Sequence, residues 1–462
     1  MFQGDDLRTV ARYLRLCFET ALLFASQSAP TELDDLRLKE AIRSTDLWII
    51  TTATRSYWRG TCDSVRGMTL PRPCVLGNLS ARKFLRDFWQ KKPVVIRGAF
   101  PNLEDPLSAD ELAGLACDRE VSSRLVMGRG GRRPWPVARG PHSARTLRRL
   151  PRSDWTLLVE SVDRYSDEIA KLAAAFSFIP RWRIDDVMVS LAPVGGTVGA
   201  HVDSYDVFLI QGQGRRRWQV DSHAQPDYRP GLDLRILKEF HVEEEWTLDR
   251  GDMLYVPPGV GHRGVTVQGD SPIALTYSVG FRAPEAADLF SSLALSLTRA
   301  GSSVLFSDRE RAPCRDAGEL SLPDREKMRR FLVSKIESQS PDAWAIVVGE
   351  AVTSGGHGGP ALGPRTSIGS VRTRLLTGQL LRPAAGARVS WCRLSAGRAA
   401  VFVNGESQLL SRDDAFAAST ICGQASASTI RRIGARPRLV RLVADLLRHR
   451  VLVWESWQPI EP

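Results

Sequence analysis

The chain has 462 residues, 43% hydrophobic and 25% charged, which excludes a disordered or fibrous protein and allows roughly two to four domains. Lys and Arg total 63 against 52 Asp and Glu, giving +11, and only eight of the 63 are Lys. The basic excess is therefore arginine, which suits recognition of anionic groups and is equally the signature of GC-rich coding.

The seven cysteines are Cys17, Cys62, Cys74, Cys117, Cys314, Cys392 and Cys422, odd in number and without a CxxC pair. That pattern argues against a disulfide framework or a zinc ribbon and fits a reducing, cytoplasmic compartment. No apolar run reaches the ~18 residues of a membrane span. Residues 14–29 imitate a signal peptide, but Glu19 interrupts the apolar run and Asp5 and Asp6 spoil the basic start, so secretion is not expected.

In chain order, helices are expected over about 7–24 and 32–45, and residues 51–67 show no periodicity. Ser80 is placed to cap a helix through Lys83, Phe84, Phe88 and Trp89. Pro93–Arg97 reads as a buried strand, and Ser108 opens another helix. Residues 128–154 form a basic, loop-like stretch, after which Asp154 is expected to cap a helix near 155–162 and residues 169–176 to be helical.

From Ile184 to Phe281 short strands alternate with Gly, Pro and Asp turns, over 187–192, 207–211, 216–221, 246–248, 253–256, 264–267 and 273–280. This is the pattern of an antiparallel barrel or sandwich. No βαβ alternation appears, which argues against a doubly wound nucleotide-binding fold. Residues 283–300 and 323–338 read as helices, 353–370 as a Gly/Ser/Pro-rich linker. The last segment carries a hairpin-like pair at 387–394 and 399–407, a helix at 439–450 and a strand at 451–456. Helices with a small sheet suggest a winged-helix-like module.

Two of the seven histidines stand out by context. His201, in VGAHVDSYDVFLI, precedes an apolar strand, and Asp203 follows at i+2, on the same face of an extended chain. His262, in GDMLYVPPGVGHRGV, follows a sharp PPG bend that a barrel can bring back over the first pair. Two imidazoles and a carboxylate on one face of a metal form the facial triad of non-haem Fe(II) oxygenases, which leaves positions open for a co-substrate and O2. A structural zinc site would want four closed positions, usually with cysteine. A 2-oxoglutarate enzyme also needs a cation for the distal carboxylate, and GQGRRRWQV offers Arg215, Arg216 and Arg217. Alternation puts Arg216 with Trp218 on one face and the other two on the opposite face; parity alone leaves open which face points inward.

DDVMVSLAPVGGTVGAHVDSYDVFLIQGQGRRRWQV, GDMLYVPPGVGHRGV and TYSVGFRAPE resemble the bacterial JmjC-type ribosomal oxygenases, as does the opening VLGNLSARKFLRDFWQKKPVVIRGAFPN. The resemblance is strong over about 72–310. It implies an α+β chain: a double-stranded β-helix (cupin/JmjC barrel) over 70–285, a helical dimerisation segment and linker over 286–364, and a winged-helix-like domain over 365–462, behind an extension (1–69) of no recognised role. It further implies a homodimer that uses Fe(II), 2-oxoglutarate and O2 to hydroxylate an arginine of a large-subunit ribosomal protein of the L-sixteen type. By position, His201, Asp203 and His262 would be the iron ligands and Arg216 would bind 2-oxoglutarate. The substrate-arginine pocket falls on Asp186, Met188, Tyr205 and Ser278, with Asp186 pairing the guanidinium; Met188 reads equally well as a core strand residue. Asp206, in the same turn as Tyr205, is left to a structural role.

Two other readings use the same residues. One is this oxygenase chemistry on a histidine, another protein or a small molecule; Asp186 argues for a cationic target. The other is a non-catalytic cupin regulator binding nucleic acid through its arginine-rich C-terminal module. No aromatic-interleaved surface accompanies those arginines, so direct nucleic-acid binding is unsupported by the sequence, as is any membrane role.

Overall fold

The computed structural model describes residues 75–128, 135–299, 305–309, 311, 313–314, 316–354, 366–384 and 386–455. The helices expected at 7–24 and 32–45, the stretch 51–67, the basic loop tip at 129–134 and most of the 353–370 linker lie outside these residues.

The first elements follow their capping signals. Helix α1 (Ala81–Asp87) starts where Ser80 accepts from the Lys83 N–H, and strand β1 (Val94–Ile96) follows. Helix α2 (Ala109–Leu115) has a reciprocal box between Ser108 and Glu111. Then come β2 (Ser123–Met127), β3 (Val137–Arg139), α3 (Ala144–Arg148), β4 (Trp155–Val159) and α4 (Asp167–Ala174).

The helix expected near 155–162 is instead β4, paired with β2 on one side and reaching β5 on the other. A run such as WTLLV, buried on both faces, has no periodicity to separate strand from helix. Asp154, taken as its cap, sits at φ 63° as a turn residue.

Eight strands then build the barrel: β5 (Ile184–Pro193), β6 (His201–Val202), β7 (Asp206–Gln211), β8 (Arg215–Asp221), β9 (Glu244–Leu248), β10 (Met253–Val256), β11 (Gly261–Val267) and β12 (Ile273–Phe281). One sheet runs β1-β10-β7-β12-β5-β4-β2-β3 and the other β6-β11-β8-β9. The chain thus crosses repeatedly between two antiparallel sheets, which is the double-stranded β-helix of the JmjC/cupin type.

Side-chain alternation assigns each strand two tasks. Phe208, Ile210, Met253, Tyr255, Leu275, Tyr277, Val279 and Phe281 point outward into a core shared with Phe84, Leu112 and Ile169 of the flanking helices and with Phe176 of the turn after α4. Val207, Leu209, Leu254 and Val256 point inward, against Trp218, Val220 and Leu248 of the smaller sheet. The alternate positions of β5 and β12 are inward as well, and apart from Met188 the residues there are polar or small: Asp186 and Ser190, with Thr276, Ser278 and Gly280. The larger hydrophobic core thus lies outside the barrel, and the part of the interior lined by β5 and β12 is left for polar groups.

Beyond the barrel lie α5 (Ala286–Arg299), α6 (Leu322–Glu337) and α7 (Pro341–Thr353). The C-terminal module holds α8 (Ile368–Thr377), β13 (Leu381–Pro383), β14 (Val389–Arg393), β15 (Ala399–Val403), β16 (Glu406–Leu410), α9 (Ala417–Ile421), α10 (Ala427–Gly434), α11 (Pro437–Arg448) and β17 (Leu452–Trp454). The hairpin pair read from the sequence is β14 with β15, extended by β16 into a three-stranded sheet. Its Val401 face packs on the helices of the module, and its Ala400 and Phe402 face packs on α7. Gly349 of α7 lets the Phe402 ring lie flat, since a Cβ there would meet it at 2.3 Å. Helix α7 was not marked in the sequence, where its apolar residues run into the linker. Among the described residues no helix is long and apolar enough to cross a membrane.

Candidate metal centre and co-substrate pocket

Strands β6 and β11 pair antiparallel with His201 directly opposite His262, so the ladder itself sets the two imidazoles side by side, 4.2 Å between ring centroids. The third group arrives through the PPG bend. Gly259, at φ +82°, donates its N–H to the Asp203 carbonyl at 3.0 Å and so ties the bend to the residue 56 positions earlier. One Asp203 carboxylate oxygen lies 3.6 Å from His262 Nε2 and 4.0 Å from His201 Nε2. One atom from each of the three residues falls within 4.8 Å of the others, and no other such cluster occurs among the described residues.

Each imidazole is held for ligation. His201 Nδ1 donates to the Gly199 carbonyl at 3.1 Å and His262 Nδ1 to that of Val260 at 3.2 Å. Both rings therefore turn an Nε2 lone pair toward Asp203, the arrangement in which a metal-binding histidine is fixed by its other nitrogen. Burial, and then the neighbouring His201, push His262 down to about 4, so its ring is neutral and ready to ligate at ordinary pH.

Arg216 settles the parity question left by the sequence. It points inward with Trp218, while Arg215 and Arg217 point outward toward Asp249 and Glu245. Arg216 is only 3% exposed. Its Nη1 donates to Ser190 Oγ at 2.9 Å and Thr276 Oγ1 at 3.3 Å, one hydroxyl from each of two strands of the opposite sheet. Gly264 gives the guanidinium room, since a Cβ there would meet Arg216 Nε at 2.8 Å and the Trp218 ring at 2.7 Å. Among the described residues no carboxylate pairs with it and Arg216 Nε and the adjacent Thr266 hydroxyl are buried without partners, and desolvation drops its pKa to about 10. A buried cation held only by neutral groups, two hydroxyls and the face of the Trp218 ring 5.1 Å away, is poorly solvated. A ligand carboxylate is the group that would complete it, and the donor set fits the distal carboxylate of 2-oxoglutarate.

The same cavity is lined by Asp186, Met188, Tyr205 and Ser278 together with the three metal-ligating candidates. Ser278 and Met188 are register partners on β12 and β5. Asp186 Oδ2 accepts from both the backbone N–H (2.9 Å) and the hydroxyl (3.1 Å) of Ser161, which leaves Oδ1 toward Gly280 and Tyr205. Burial, and then Asp185, raise the Asp186 pKa. Asp206 faces the other way, where it accepts from Tyr255 (2.6 Å), Gln90 (2.9 Å) and Arg183 (3.1 Å) and serves the core.

Sequence reasoning missed Ser161, Ser190 and Thr276. Ser190 and Thr276 are legible once the inward parity of Asp186 and Ser278 is fixed, because each lies an even number of residues away. Ser161 is not: it sits outside the barrel strands, at φ 53° in a turn before a short 3-10 helix, and no periodicity marks it.

Comparison with known proteins places this geometry. The JmjC domain family matches residues 171–289. The ribosomal protein uL16 3-hydroxylase of Escherichia coli (strain K12) is 38% identical over 276 residues, 59% of this chain and 71% of that protein. Ribosomal oxygenase 2 of Rattus norvegicus is 24% identical over 236 residues, 44% of this chain and 45% of its own. Among solved structures, YcfD, a ribosomal oxygenase from Escherichia coli in complex with cobalt and 2-oxoglutarate, aligns with a TM-score of 0.71 at 32% identity, covering 82% of this chain and 99% of that one.

Proposed function

The chain belongs to the JmjC-domain ribosomal oxygenases, and from that premise we propose that it hydroxylates an arginine side chain of the large-subunit ribosomal protein uL16, using Fe(II), 2-oxoglutarate and O2. The observation that carries the reading is the cavity in which a His-Asp-His cluster, a buried arginine and a half-buried aspartate meet, the last two without an ion-pair partner among the described residues.

His201 Nε2, an Asp203 carboxylate oxygen and His262 Nε2 would hold the iron, a donor set of the kind that leaves room for a co-substrate and O2. Arg216 pairs the distal carboxylate of 2-oxoglutarate, with Ser190 and Thr276 fixing the guanidinium. When bound, the iron, 2-oxoglutarate and O2 supply the oxidising power to insert oxygen into an unactivated C–H bond, with succinate and CO2 as co-products. Asp186 Oδ1 takes the substrate guanidinium, Met188 and Tyr205 flank its alkyl stem, and Ser278 adds a hydroxyl on the same wall. Trp218, Val207 and Leu209 keep the barrel end dry. Arginine suits the pocket better than histidine, because a desolvated carboxylate gains most from a partner that stays charged at every working pH.

The reading divides the chain into an extension (1–69), the catalytic barrel (70–285), a helical segment (286–364) and a winged-helix-like module (365–462), and puts the protein in the cytoplasm. Phe290 and Leu295 on α5 and Leu322 and Leu332 on α6 are exposed apolar side chains that support a homodimer through this segment. The test is intact-mass and fragment analysis of uL16 incubated with protein, Fe(II) and 2-oxoglutarate. One added oxygen on an arginine, absent with His201→Ala, is expected; no gain on uL16, or a gain on a residue other than arginine, would refute it.

A further inference from the structure

The net charge is not spread along the chain. Residues 366–455 hold 14 arginines, no lysine and five acidic residues, a net +9 of the chain's +11. Coding bias toward arginine does not explain this concentration, because it is the scarcity of Asp and Glu, five in these 90 residues against 47 in the other 372, that leaves the arginines uncompensated. Within the module the charge is concentrated again: residues 431–448 contain six arginines and one acid, Asp445.

Two sets among the module's arginines differ in their partners. Those facing the rest of the protein are paired: Arg382 with Asp167 at 2.5 Å, Arg398 with Asp342 at 2.7 Å, and Arg388 with Asp185. Among the described residues, none of Arg431, Arg432, Arg436, Arg438, Arg441 and Arg448 is ion-paired, and all but the half-buried Arg448 are exposed. Arg438, Arg441 and Arg448 fall on one stripe of α11, opposite the buried Leu439, Val440, Val443 and Leu446. The stripe is about 15 Å long at 1.5 Å per residue. Arg436 lies in the turn joining α11 to α10, and Arg431 on α10 reaches the end of α8 beside Gly378.

We propose that this face of α10 and α11 is a docking surface for the phosphate backbone of RNA. Guanidinium groups bind phosphate in a fork, and a rigid row of them can follow several phosphates of one strand. An anionic membrane fits worse, because a helix lying on lipid must present its apolar face, and that face of α11 is locked in the module core. The preference for RNA over DNA rests on the ribosome-directed reading above; the recognition of phosphate does not. The surface would hold the enzyme to RNA-bearing forms of its target while the barrel works on the protein.

The test uses the full chain and fluorescence anisotropy with a labelled RNA hairpin, a DNA duplex of equal length, and vesicles containing phosphatidylserine, across a salt series. Arg438→Gln/Arg441→Gln/Arg448→Gln is compared with Arg145→Gln/Arg148→Gln/Arg149→Gln, which removes the same charge from an exposed segment of the catalytic domain. Arg431→Gln/Arg436→Gln is a second variant should the first fail to fold by thermal melting. The α11 variant is expected to bind RNA at least ~10-fold more weakly in 0.1 M salt and to lower the slope of log K against log salt by about 2. The control variant is expected to lose less than ~3-fold. No salt-dependent RNA binding by the parent, equal losses in both variants, or tighter binding to DNA or vesicles than to RNA would overturn the proposal. Arginine hydroxylation of a short uL16 peptide, measured in parallel, should be unchanged in the α11 variant, so failure of the surface and failure of the catalytic reading are read separately.

Discussion

Replacing Arg216 by Met separates stability from co-substrate binding, because the same guanidinium is a burden to the fold and the proposed anchor of the ligand. Its pKa is lowered from the ordinary 12.5 to about 10 by desolvation. At 1.36 kcal/mol per pH unit this is a penalty of about 3 kcal/mol on the charged form. A base with a depressed folded pKa bears that penalty in full at every pH below the folded value, so it is constant between pH 5 and 9. Met removes the charge and keeps much of the volume, but takes a donor from Ser190 and Thr276, which costs about 1 kcal/mol back. The ligand-free Arg216→Met protein should be about 1–3 kcal/mol more stable in urea unfolding, with no pH trend from 5 to 9. The KM for 2-oxoglutarate should rise at least ~30-fold, the ~2 kcal/mol or more lost with a buried charge pair. Equilibrium unfolding in metal-free buffer and steady-state succinate formation measure the two halves. A variant that is less stable than the parent and binds 2-oxoglutarate unchanged would refute the reasoning.

Three further outcomes follow from the same cavity and its surroundings. Asp186→Ala should raise the KM for an arginine peptide ~100-fold by leaving the guanidinium unpaired, while Mn(II) and 2-oxoglutarate still bind, measured by calorimetry under nitrogen. Because burial raises the Asp186 pKa, the parent's KM for that peptide should climb as pH falls and the carboxylate protonates; Ser161→Ala, which removes one bond to the ionised form, should move that limb to higher pH, read from a KM–pH profile. Asp163 is buried, with its carboxyl pushed up to about 6 mainly by desolvation. An acid with a raised folded pKa loses stability as pH rises from ~4 through ~6, so Asp163→Asn, which keeps an acceptor for the Val187 N–H, should be up to about 3 kcal/mol more stable than the parent at pH 8 and equal to it near pH 4, by urea titration.

The metal-ligating candidates were legible because HxD before an apolar strand and a histidine after PPG are local patterns, and the β6–β11 register only had to bring them together. The inward face of β8 was not legible, since alternation is symmetric; it took the hydroxyls of Ser190 and Thr276 across the barrel to show which face holds the cation. Strand β4 was misread as a helix because a strand buried on both sides carries no period. Ser161 escaped because its role depends on a left-handed turn and on Asp186, 25 residues away. The arginine excess gained meaning only when ion pairs could be assigned: the module's inward arginines are matched by aspartates, and those of α10 and α11 are not.

The most direct test of the central claim is to quantify succinate and modified residue together, on uL16 with Fe(II) and limiting 2-oxoglutarate. The account predicts one succinate per hydroxylated arginine with the parent, and neither product with Asp203→Ala. Succinate without oxygen on uL16, or oxygen found on a residue other than arginine, would contradict it.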